Sequence, residues 1–457
     1  MNQKEMFNMS RKIAIIGGGG KITSAVIFEL LNRDKTTEFE FALFGRTAKK
    51  IENTITISDR FNSGNGKVYN AETLENALVG AELVLYCASY GLEAYGEYKA
   101  MGIAHGAYIM GIAEKIKEIC PNAWLLAVTN PPDIPLMAAG MKFGLKKLIG
   151  LCNATSFTRK VLSSFMGYEE AELFPMDIGV NHELWLYDVI YKNESVYEEV
   201  RSALLDGYSP DKVKGDFHES FPEWREGFVN NVAILKETGY LHGPVGGCAR
   251  FSNLPFAGMG KLMKRPSYED FEKCLNPELS NDDILRVTRR CAAEFPIYIA
   301  DIIASALSGD GKKHSILTQN CGAVPELCDD AFIQLTCGIT QNEIIRPVVE
   351  LPEFIKATLT SRILQNHILA QALAEQDEKL MKQALLAFPE RVPFDKLDEI
   401  KSLILNSANK ELIKKAQFEK TTIKTKISLA LMKKERIKTA FYFLNMCKKI
   451  KSVLKRG

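Results

Sequence analysis

Residues 12–20 read Lys-Ile-Ala-Ile-Ile-Gly-Gly-Gly-Gly. After Lys12, a run of four apolar residues, three of them β-branched, ends abruptly in four glycines, the pattern of a buried strand. Ser24–Arg33, SAVIFELLNR, then follows with apolar residues at helical spacing. Strand, glycine turn, helix is the context in which such a motif binds a dinucleotide. The glycines allow a tight turn and close backbone approach, and the helix N-terminus offers free N–H groups and a positive dipole end to a pyrophosphate. Gly17–Gly20 and Lys21 are therefore the candidate cofactor turn. The third glycine of G-x-G-x-x-G is replaced by Ile22.

Further strands are legible on either side. EFEFALF ends at Phe44, AELVLYCAS near Ser89, AWLLAVTNPPD at Thr129–Asn130 and KKLIGLCNA near Leu151, with a helical stretch at Ile112–Ile119. Continuous apolar strands alternating with helices predict an α/β fold with a Rossmann-type, doubly wound parallel sheet covered on both faces. FPMDIGVNHELWLYDVIY (174–191) is strand material in a second, mixed α/β part, and residues 360–415 are helix-rich. The expected division is 10–152 for dinucleotide binding, 153–413 for substrate and metal, and 414–457 as a basic tail.

An acidic residue about 20 positions beyond the glycines grips the ribose of NAD in many such proteins. Here the second strand ends Phe44-Gly45-Arg46. NAD remains the first expectation, and Arg46 keeps NADP open because its guanidinium could meet a 2′-phosphate.

At 457 residues, with 46% hydrophobic and 25% charged residues, the composition is that of a globular protein with room for two or three domains. No apolar run reaches the ~20 residues of a spanning helix, and the first residues are too polar for a signal peptide. The ten cysteines are scattered without a C-x-x-C pair, as expected of reduced cytoplasmic thiols. Two places carry metal-site chemistry. Cys152-Asn153 follows a strand at the edge where ligands bind in open α/β sheets, and Asn181-His182 lies 30 residues on. A thiolate and an imidazole brought together form a soft N/S pair for a divalent cation.

The words KIAIIGGGG, VTNPPDI, GLCNATSFTRK, GVNHELW, HSILTQNCGAVPELCDDAF and QALLAFPE occur in an order that resembles the family 4 glycoside hydrolases. These are NAD- and divalent-metal-dependent enzymes related to lactate and malate dehydrogenases. The resemblance spans most of residues 12–412. It implies that Cys152 and His182 hold the metal, typically manganese, and that Asn153 and Asn181 contact the sugar. Asn130 would lie near cofactor and substrate, and Tyr240, in KETGYLHG, would be the catalytic base, acting with Asn153. It also places Tyr95 in the substrate site, where the family carries an arginine that grips a substrate phosphate. The implied reaction is hydrolysis of a glycoside that lacks a 6-phosphate. It would proceed by transient C3 oxidation, C2 deprotonation and elimination, a route outside the two-carboxylate pattern of most glycosidases. A sugar oxidoreductase or epimerase would need the same groups.

Charge is unevenly spread. Residues 414–457 hold 14 Lys and Arg against Glu419 and Glu435, a net +12, which leaves −10 on residues 1–413. Apolar residues between the lysines suggest a basic amphipathic helix in peripheral contact with an anionic membrane face; the alternatives are a basic, partly disordered tail, or a helix docked on the acidic body of the same protein or of an oligomer partner. A homo-oligomer, dimer or tetramer, is expected, with a small glycoside or sugar as ligand. No motif that reads nucleic acid is visible.

Overall fold

The computed structural model describes residues 10–88, 98–152, 154–214, 221–243, 268–291 and 295–387. One mixed sheet of 13 strands runs through them. The first six strands are β1 (Arg11–Ile16), β2 (Phe39–Phe44), β3 (Gly66–Asn70), β4 (Leu83–Tyr86), β5 (Trp124–Ala127) and β6 (Leu148–Gly150). They are parallel and lie in the order 3-2-1-4-5-6. This is the Rossmann order, and its switch point falls between β1 and β4.

Strand alternation explains why these runs are apolar throughout. Ala14, Ile16, Ala42, Phe44, Val84, Tyr86, Leu125 and Ala127 face one core. Ile13, Ile15, Phe41, Leu43, Leu83, Leu85, Trp124 and Leu126 face the other. Helices Tyr98–Ile119, Asp133–Phe143 and Glu353–Glu375 cover the first face, and helices Thr23–Arg33 and Phe295–Ser308 the second. Each Ile, Leu or Phe fully buried this way contributes about 1.5–3 kcal/mol.

The remaining strands are β7 (Leu173–Val180), β8 (Glu183–Tyr191), β9 (Glu194–Ser195), β10 (Leu241–His242), β11 (Lys313–Gln319), β12 (Phe332–Ile339) and β13 (Ile344–Ile345). β11 joins the parallel part by an antiparallel pairing with β6, and β12, β7, β8 and β10 extend the sheet outward. The two halves expected as separate domains thus share one sheet. The stretch 174–191 is two strands, because Val180 pairs with Glu183 and leaves Asn181-His182 as a two-residue turn. Among the described residues no helix is long and apolar enough to cross a membrane. The tail 414–457, Tyr95 and Asn153 lie outside the described residues.

Candidate active site

The glycine turn is built by backbone packing. Gly17 has φ +103°, and a Cβ there would sit 2.6 Å from the Ala88 nitrogen. The Gly17 and Gly18 N–H groups donate to the Phe44 carbonyl at 2.8 and 2.9 Å. A Cβ on Gly18 would lie 2.7 Å from Leu43 Cβ, and one on Gly19 2.6 Å from Lys50 Cβ. Only glycines allow β1, β2 and β4 to end so close together. Helix Thr23–Arg33 begins there without a side-chain cap and without an acidic residue in its first turn. Its positive end therefore meets no protein carboxylate in that turn, which suits an anionic ligand. A Cβ on Gly45 would lie 3.7 Å from the Gly18 nitrogen, so exposed Arg46 borders the turn. Lys21 is half-buried beside it.

Asn130 follows β5, joined to Pro131 by a cis peptide. Ala127 of β5 pairs with Gly150 of β6, so Asn130 and Cys152 leave neighbouring strand ends at the carboxyl edge of the sheet. The β7–β8 turn reaches the same place. Asn181 Nδ2 donates to Asn130 Oδ1 at 3.2 Å, and His182 Nε2 lies 3.2 Å from the same oxygen. His182, Asn181 and Cys152 are all buried. His182 has φ +68°, a left-handed conformation that a histidine adopts at a cost of about 1–3 kcal/mol and that clusters at functional sites.

An amide oxygen only accepts, so Nε2 of His182 carries the proton and donates it to Asn130. With the proton on Nε2, the lone pair of the neutral ring is on Nδ1, and the Asn130 contact orients the ring. Cys152 lies near the Tyr298 phenol, which burial pushes well above its usual range, with the nearby Asp177 and Cys152 adding to the shift.

Groups that the sequence reading missed stand behind this edge. Glu183, next to His182, is fully buried and faces Arg362 Nη1 at 3.5 Å. One helical turn on, Asn366 donates to Asp133 Oδ2 at 2.9 Å, three residues past Asn130. Helix Glu353–Glu375 thus holds both the turn bearing His182 and the segment bearing Asn130. Asp177 is fully buried and accepts from Thr155, Ser315 and Thr336; burial pushes its carboxyl upward against those three donors.

Tyr240 is placed elsewhere. It is half-buried, stacks on Phe354 at 6.3 Å and leads into β10, whose pairing sets Leu241 opposite Leu186. That register puts Tyr240 opposite Tyr187, five residues along β8 from His182, on the order of 15 Å at ~3.3 Å per residue.

Two models of a single family match this chain. Residues 86–168 match the family 4 glycosyl hydrolases, and residues 178–390 match the C-terminal domain of the same family. The chain belongs to the family 4 glycosyl hydrolases. Among curated proteins it is 23% identical to an alpha-galactosidase of Bacillus subtilis, over 83% of this chain and 93% of the relative. An alpha-galacturonidase of the same organism is 22% identical over 84% and 95%. The 6-phospho-beta glucosidase of Thermotoga maritima, solved with manganese, NAD+ and glucose-6-phosphate, superimposes with a TM-score of 0.64. It shares 18% identity and is covered over 98% of its length by 88% of this chain. The Rossmann order and the antiparallel extension are thus the architecture of a family of glycosidases.

Proposed function

We propose that this protein is an NAD- and divalent-metal-dependent glycosidase whose substrate lacks a 6-phosphate. The observation that carries the reading is the hydrogen-bonded Asn130–Asn181–His182 group at the carboxyl edge of the sheet, with Asn181 and His182 buried and His182 held at positive φ beside the strand end that bears Cys152.

The donor set fits the groups this reaction needs. A thiol and an imidazole suit a borderline divalent cation such as zinc or iron(II); manganese, a harder ion, is the metal that the Thermotoga maritima relative was solved with. The uncapped helix end and its glycines suit a pyrophosphate. When bound, NAD would supply a hydride acceptor and the cation a Lewis acid for the sugar hydroxyls. With C3 at the ketone level the C2 proton is acidic, a base removes it, and the C1 substituent leaves. Water would then add to C1 and C2, and a bound NAD would be regenerated in every turnover, so no accumulation of NADH is expected.

In this reading Gly17–Gly20, Lys21 and Arg46 hold the cofactor, Cys152 and His182 the cation, and Asn130 aims His182. Asn153, Asn181 and Tyr95 complete the sugar site, where Tyr95 stands in place of a phosphate-gripping arginine. The alpha-galactosidase and alpha-galacturonidase relatives carry names without a phosphate. Tyr240 is the proposed base.

The test is an assay of unphosphorylated aryl glycosides, including galactosides and galacturonides, with NAD and Mn²⁺, following aglycone release and NADH together. Release without NADH supports the proposal. Stoichiometric NADH without release would mean a sugar oxidoreductase instead. Tyr240→Phe should lower kcat by about 10²–10⁴-fold, the usual worth of a general base. It should also remove the solvent deuterium that the wild type places at C2. Undiminished exchange in that variant would take the base role away from Tyr240.

A further inference from the structure

Cys328, Asp330 and His367 each offer one ligand atom, and these atoms lie within 4.8 Å of one another. None belongs to the Asn130–Cys152–His182 group. We propose that these three side chains form a second divalent-cation site of the zinc class, which clips the β11–β12 loop to helix Glu353–Glu375.

The donor chemistry selects the ion. Thiolate sulfur, imidazole nitrogen and carboxylate oxygen are the three ligand types of protein zinc sites, at ~2.3, ~2.0 and ~2.0–2.2 Å from the metal. Tetrahedral angles at those lengths put the donors some 3–4 Å apart, inside the spacing seen here. Hard cations such as calcium or magnesium favour all-oxygen shells and would leave the sulfur and nitrogen unused. The Asp330 carboxylate is 2.9 Å from His367 Nε2, so the two shift by only tenths of an ångström to share an ion. Three protein ligands leave a position for water, and Cys328 is exposed enough for the ion to enter.

The loop is preorganised for this. Asn320, fully buried, donates from Nδ2 to the carbonyls of Val324, Leu327 and Cys328 and accepts the Val324 N–H at 2.7 Å. The Asn320 and Cys321 N–H groups donate to the Ala331 and Asp329 carbonyls. Cys328 and Asp330 are therefore presented on a braced hairpin, and His367 on a helix. Preorganised ligands on separate elements give a metal its largest effect on folding, because the unfolded chain offers no such site. The clip would also steady the helix that carries Arg362 and Asn366, the partners of Glu183 and Asp133.

The test uses full-length protein in a Cys152→Ala/His182→Ala background, so that the proposed catalytic cation plays no part. After chelator treatment, Co²⁺ and Zn²⁺ are titrated. The expected result is one ion per chain, a thiolate-to-cobalt absorption band in the near ultraviolet, and a thermal midpoint that rises with Zn²⁺. Adding Cys328→Ser should abolish the band, and adding His367→Gln should weaken binding by more than the ~10–100-fold that loss of an outer-shell partner costs. Cys321→Ser should change neither. No bound ion in the background protein overturns the proposal. So does a cobalt band that survives Cys328→Ser, or binding that His367→Gln leaves untouched. Because the background lacks Cys152 and His182, failure of the glycosidase reading would leave this result unaffected.

Discussion

The parallel half of the sheet and the β7–β8 half build their parts of the cleft by different physics. Where β1, β2 and β4 end, the functional element is backbone; the parallel half adds side chains only at the ends of β5 and β6, as Asn130 and Cys152. Four glycines and an uncapped helix end make the turn, and the side chains around it are apolar core. In the β7–β8 half the functional element is side chains, and behind them stand further buried polar groups: Asp177, Glu183, Arg362, Asn366 and Asp133. A backbone site is steadied by ordinary apolar packing. A side-chain site buried in low dielectric needs a partner for every polar group, and those partners must come from distant elements. The second half should therefore be the more fragile, in activity and in stability.

The largest effect expected is at the two proposed cation ligands. Cys152→Ser and His182→Ala should each lower Mn²⁺-dependent aglycone release by at least ~10³-fold, since a Lewis acid supplies several kcal/mol at ~1.4 kcal/mol per decade. The far-ultraviolet circular dichroism should be unchanged. Full metal-dependent activity in both variants would show that this pair holds no catalytic cation.

Next comes the buried ion pair. Arg362→Ala leaves the Glu183 carboxylate buried without its guanidinium and should destabilise the fold by about 3–5 kcal/mol. Combining it with Glu183→Gln should recover most of that loss, because the uncompensated charge is then gone. Chemical denaturation of the three variants measures both. If the single and double variants are equally unstable, packing rather than charge accounts for the loss.

The contrasting change on the backbone side is Gly17→Ala. Its φ of +103° and the approach to Ala88 predict a loss of about 1–3 kcal/mol. Cofactor affinity should fall with it, because the turn has to open. A variant that keeps both stability and NAD affinity would show that the backbone site is less exacting than its geometry implies.

The same contrast explains what could be read in advance. The strands β1, β2, β4, β5 and β6 were legible because burial on both faces makes them continuous apolar runs. β3, Gly66–Asn70, was not, because its residues are half-buried or exposed and form no such run. The β7–β8 turn hid inside 174–191 because no glycine or proline marks it; Asn181 and His182 occupy it themselves. Cys152, Asn181 and His182 stood out as words in a family pattern. Arg362 and Asn366 did not, since their partners lie 179 and 233 residues away along the chain.

The smallest effect expected separates the halves by acid. Burial lowers the pKa of His242, at the β8 edge, to about 3, and that of His314, at the start of β11, to about 4. Both lie in the antiparallel half. A histidine with a depressed folded pKa stays neutral where the unfolded chain takes up a proton. Its contribution is therefore whole above pH ~6.5 and is lost as pH falls toward 3–4, at up to ~1.4 kcal/mol per pH unit for each. Asp177, whose pKa burial raises, acts in the opposite sense, but it is common to wild type and variants and cancels in the comparison. Denaturation curves at pH 7, 6 and 5 should show stability falling more steeply in the wild type than in His242→Gln, by close to one proton in slope. Equal slopes would mean that water reaches His242 and that this edge of the sheet opens more easily than its packing suggests.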